Sequence, residues 1–114
     1  MDITDSSEEV KQLLIKSGNE KLCEQAFDLS QIQCKEIGIL MTDVQQLSLL
    51  SHLSAMVQRS LTGEKLIPID RSIFSKVSRG SLSAAKKVKD SLKNLEEDEI
   101  YLLSIHFEAA KQSS

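Results

Sequence analysis

Aromatic side chains are scarce in this chain: three phenylalanines, one tyrosine and no tryptophan make up 4% of it. The core must therefore be aliphatic, built on Leu, Ile and Val. One proline and four glycines leave little to interrupt helical geometry. No apolar run approaches the roughly 20 residues that a membrane span needs. The opening "MDITDSSEEV" is acidic and polar, which is not the pattern of a secretory signal. Two cysteines, Cys23 and Cys34, fall short of a disulfide framework, and both are expected to be reduced in a cytoplasmic protein. A phosphate-cradling Gly loop and a G-x-S-x-G elbow are also missing. No alternating pattern of any length marks a strand.

What is present suits helices. With 114 residues and 40% hydrophobic content, the chain is expected to form one domain over 1–114 around a single core. Its net charge of −3 hides an asymmetry. Residues 1–36 carry eight acidic and four basic side chains, and 95–114 carry five and one. Residues 64–94 reverse this, with eight basic and three acidic. That middle section suits an acidic partner, but the overall acidity argues against nucleic-acid binding as the main business of the chain.

Capping signals and apolar spacing divide the chain into five helices with a sixth, short one. The first spans about 7–17, with Ser6 and Glu9 as a capping box and Val10, Leu13 and Leu14 on one face. Gly18-Asn19 ends it and caps a second over about 20–37, closed by Gly38. Thr42-Asp43 caps a long helix from 44 to about 62, stopped by Gly63, whose core stripe is Leu47, Leu50, Leu53, Val57 and Leu61. Pro68 marks a loop, residues 70–77 a short helix, and Ser78 or Ser81 the start of another that reaches about 93. Asn94 is expected to cap a last helix over 95–112. The acidic run at 96–99 sits in its first turn, where the helix dipole favours negative charge.

The chain has two histidines. His106 lies inside the apolar arc of the last helix, which takes in Leu102, Leu103, Ile105, Phe107, Ala109 and Ala110, so it is expected to point inward or into a groove between helices. His52 sits at the border of the long helix's stripe, beside Leu49 and Met56, with Arg59 on the same side seven residues on. His52 is thus expected to be the more accessible ring. On the residues alone two readings stand: an inert imidazole bonded to a carbonyl, or a functional one. Two His and two Cys nominally make four metal ligands, but C-x10-C and H-x53-H match no ligand spacing. Cys23 and Cys34 have no local base and read as small buried apolar residues. Arg79, Lys86, Lys89 and Lys93 share about 80° of one helix face. They form either a solvated face or a dock for an acidic or phosphorylated partner.

Two segments together carry a resemblance. "MTDVQQLSLLSHLSAMVQRSLTG" (41–63) and "LEEDEIYLLSIHFEAAK" (95–111) resemble the two signature segments of the PTS regulation domain, or PRD. That family occurs in bacterial antiterminators and transcription activators controlled by the sugar phosphotransferase system. Its first segment has an arginine six or seven residues after a histidine, as Arg59 follows His52 in "LLSHLSAMVQR". Its second reads E-D-E, a few apolar residues, then L-H-I or L-H-F; here it is "EDEIYLLSIHF". The likeness covers about residues 20–112.

The resemblance implies an all-α, compact five- to six-helix bundle of the PRD type that dimerises. It implies that His52 and His106 are phosphoacceptors for the phosphocarrier HPr or for sugar-specific enzyme II components, with Arg59 in support. Together with the composition and spacing above, the expectation is a non-enzymatic cytoplasmic module linked to transcription regulation, with no cofactor, no metal, no membrane and no direct nucleic-acid binding. Two departures are visible. The acidic residue that the family places before its first histidine is Ser51 here. The chain also reads as a single PRD standing alone, without the second PRD and the RNA- or DNA-binding module that usually accompany it. The alternative is a helical interaction and dimerisation module that kept the fold without phosphorylation.

Overall fold

A computed structural model of the chain describes residues 7–113, and the described residues form five α-helices and one 3-10 turn with no strand. The helices are α1 (Glu8–Lys16), α2 (Glu20–Glu36), α3 (Asp43–Thr62), α4 (Arg79–Asp90) and α5 (Asp98–Gln112). The 3-10 turn Arg71–Phe74 lies between α3 and α4. The expected helical bundle is the fold.

Local chemistry sets most of the helix starts. Thr42 accepts a bond from the Gln45 backbone N–H while the Gln45 side chain accepts from the Thr42 N–H, a full capping box at the head of α3. Asn19 caps α2 through Leu22 N, and Ser78, rather than Ser81, caps α4. Gly63 closes α3 in the left-handed region at φ 77°, its N–H donating to the Arg59 carbonyl at 2.8 Å. Two caps differ from expectation. Ser6 lies outside the described residues, and α1 is capped by Ser7, which accepts from Val10 N. Asn94 caps nothing: at φ 61° it forms a left-handed turn, and α5 begins only at Asp98 with no side-chain cap. The Asp98 carboxylate is occupied elsewhere, accepting from Arg71 Nε at 2.9 Å.

α3 is the hub, packing against α1, α2 and α5, while α4 packs against α2 and α5. Leu49, Leu50, Leu53, Met56 and Val57 of α3 are wholly buried, as are Leu103 and Phe107 of α5 and Val88 of α4. Leu50, Leu53, Val57, Leu103 and Phe107 thus stand where the helical wheels put them. Leu47 is only partly buried, and Leu61 is half exposed at the end of α3. Ile105 and Ala109 are exposed as well, so the apolar arc of α5 is narrower than its composition suggests.

Buried hydroxyls stitch the helices by donating to carbonyls of neighbouring segments. Ser54 Oγ donates to Leu13 O on α1 at 2.7 Å, and Ser60 Oγ to Lys93 O at 2.6 Å. Glu108 of α5 accepts from Ser78 N, Ser78 Oγ and Ser81 Oγ at the head of α4. These bonds to the ionised form, Ser78 first, hold its carboxyl down at about 2. On the basic face of α4, Lys86 and Lys89 reach Asp90, and Lys87 reaches Glu36. Of the stripe, Lys86 and Lys89 thus meet a carboxylate of their own chain. Cys23 and Cys34 are buried free thiols, and burial pushes both up to about 11. That is the condition of inert core residues, not of thiolate nucleophiles.

Candidate functional site

α3 and α5 carry the two histidines on the faces they turn toward each other. Their ring centroids lie 4.9 Å apart with the planes inclined at 52°. Both rings line one groove of about 1250 Å³, walled by residues of α1 and α3 such as Leu13, Leu47, Ser51 and Ala55. Ser51, standing where the family motif carries an acidic side chain, opens onto this groove and leaves its wall next to His52 uncharged.

Both imidazoles are held neutral. Burial, then the neighbouring His106, then the Arg59 charge lower the His52 pKa to about 3. Burial also lowers that of His106. Neither ring makes a hydrogen bond among the described residues, and Nε2 of His52 is cut off from solvent without a partner. This corrects the expectation that His52 is the more accessible ring, while His106 does turn into a groove between helices. The border of the α3 stripe is not a free edge, because the His106 ring from α5 packs against it.

Arg59 lies on the His52 side of α3, near enough for its charge to act on that ring, but it does not stretch back toward it. Its Nε donates to Glu99 Oε2 and its Nη2 to Glu99 Oε1, both at 2.7 Å. The pair is bidentate, with Glu99 buried at 1% exposure and Arg59 partly buried. Glu99 does stand in the first turn of α5, as the 96–99 run suggested, but it is buried and paired there. A signal for this was present in its spacing. Glu99, Leu103 and His106 follow i, i+4, i+7, so the carboxylate shares the stripe of a buried leucine and the histidine.

The arrangement can do limited chemistry. Two neutral imidazoles offer nitrogen lone pairs to an electrophile in a shared cleft, with one guanidinium close by. Among the described residues no three His, Cys, Asp or Glu side chains converge as a metal site, and no helix is long and apolar enough to cross a membrane.

Known proteins agree with this geometry. No curated protein matches the sequence. A crystal structure of a PRD-containing transcription regulator from Lactobacillus casei ATCC 334 aligns with a TM-score of 0.87 at 33% identity, covering 97% of this chain and 99% of that one. The family model described as the PRD domain matches residues 28–110, a span that takes in both histidines, Arg59 and Glu99. PRD domains are regulatory rather than catalytic and are found in transcription regulators under phosphotransferase control. A helical bundle with the PRD sequence signature and the PRD fold over nearly its whole length, this chain belongs to the PRD domain family.

Proposed function

We propose that the chain is a non-enzymatic regulatory module of the bacterial sugar phosphotransferase system, accepting phosphoryl groups on His52 and His106. The donors are phosphohistidines of HPr or of enzyme II components, and the setting is the cytoplasm. The observation that carries this reading is the meeting of the two histidines, neutral and without hydrogen-bond partners among the described residues, in one groove. A phosphoacceptor imidazole must keep a lone pair for in-line attack on phosphorus. As the new P–N bond forms, the donor's P–N bond breaks and its electron pair returns to the donor ring. The acceptor ring gives up one N–H proton and the donor ring gains one, so the exchange balances.

His106 is the ring that accepts first, because Nε2 of His52 is closed to solvent until the groove opens. A phosphoryl group brings about −1.5 to −2 charges at neutral pH into a cleft walled by Leu13, Leu47 and Ala55. Such a charge repacks α1 against α3 and α5 and changes the surface offered to a second copy or to another regulator. The exposed Val44 and Ile15 beside the groove belong to that surface. Incubation with phosphoenolpyruvate, enzyme I and HPr, followed by mass spectrometry under non-acidic conditions, tests the reading. Phosphate on His106 or His52 supports it. A protein that stays unmodified with every phosphorylated transfer protein is instead a helical interaction module.

A further inference from the structure

The groove that the two histidines share is short of positive charge. Glu8 and Glu9 line it from the first turn of α1, and Lys16 is the cation at the other end of that helix. Arg59 is committed to Glu99 through two 2.7 Å bonds, so that pair adds no net charge. The rings themselves stand closer together than the roughly 8–10 Å over which salt screens charges. We propose that His52 and His106 form a one-phosphoryl unit: either ring can carry the group, and occupation of one excludes the other. The inference rests on the phosphoacceptor reading above and adds to it the stoichiometry and its cause.

Two effects produce the exclusion. Arg59 is held by Glu99, so among the described lining residues Lys16 is the one cation a phosphoryl group can draw on, against the two carboxylates of Glu8 and Glu9, and a second group would find none. Two dianions a few ångströms apart in a partly desolvated cleft repel strongly. Space acts in the same direction. A group added at Nε2 of His52 must push the neighbouring ring aside, since that nitrogen has no open solvent around it. With His106 already modified, the ring that must move carries the first dianion.

The test is a count of phosphoryl groups per intact chain by neutral-pH mass spectrometry. Two donors are used in parallel: phosphorylated HPr, and phosphoramidate as a small donor that needs no docking surface. The wild-type chain should saturate at one group with either donor, and His52→Asn and His106→Asn, checked for folding by circular dichroism, should each still take one. The paired change Glu8→Lys and Glu9→Lys on the exposed start of α1 should let a second group appear. A doubly modified wild-type chain accumulating beside the singly modified one overturns the exclusion while leaving the phosphoacceptor reading intact. So does a folded His106→Asn chain that takes none, because His52 would then be inert rather than excluded. A limit that stays at one after the charge reversal overturns charge as the cause of the exclusion. No modification by either donor defeats both readings.

Discussion

Both Oε atoms of Glu99 are held by Arg59 at 2.7 Å, one by Nε and one by Nη2, and this bond joins the two helices that carry the histidines. The carboxylate is 1% exposed, so removing its partner strands a charge in the core. Arg59→Ala should cost about 3–5 kcal/mol, whereas replacing the whole pair, Arg59→Met with Glu99→Leu, should cost much less than either single change. Chemical denaturation of the three variants checks this. A single-variant loss below about 1 kcal/mol, the range of an exposed pair, would show that the ion pair is not buried in solution.

Acid should destabilise the fold through His52. Its folded pKa is lowered from 6.5 to about 3, so between those values the unfolded chain binds a proton that the folded chain refuses. Stability from this group is complete above about pH 6.5 and falls as the pH drops toward 3, with a slope of at most about 1.4 kcal/mol per pH unit. His106, lowered by burial, adds in the same direction. Urea unfolding between pH 8 and pH 5 should show this slope in the wild type and a shallower one in His52→Asn. Parallel curves for the two proteins would mean that the ring is open to protonation in the folded state.

Packing around α3 is uneven along its length, and truncation should reveal it. Leu50 is wholly buried and Leu61 half exposed. Leu50→Ala should lose on the order of 2–5 kcal/mol, while Leu61→Ala should stay within about 0.5 kcal/mol. Equal losses at the two positions would contradict the placement of the core.

Association is expected next to the histidine-bearing helices. Val44 at 78% exposure and Ile15 at 59% stand beside the groove, on helices that flank it. A symmetric dimer that covers them should sediment as such at micromolar concentration, and Val44→Glu should shift it toward monomer. A wild-type monomer at that concentration would remove dimer rearrangement from the proposed switch.

Local interactions were legible in the residues before any packing was known. The Thr42–Gln45 box, the Asn19 cap and the Gly63 stop each use partners within one helical turn, so sequence neighbours suffice to specify them. The histidine–arginine spacing on α3 was equally visible, and with the second segment it pointed to the PRD fold. What each side chain meets was decided elsewhere. Asn94 reads as a cap, but the turn between α4 and α5 put it at a positive φ and delayed the helix to Asp98. Glu99 reads as a first-turn charge of the last helix, and only the arrival of Arg59 from another helix lets that carboxylate be buried. His52 reads as the accessible ring because a wheel knows one helix at a time, whereas in the fold α5 brings His106 against it and its Nε2 is closed to solvent. Helix formation is settled by neighbours in sequence. Burial and charge pairing need a second helix, which no single stretch of the chain contains.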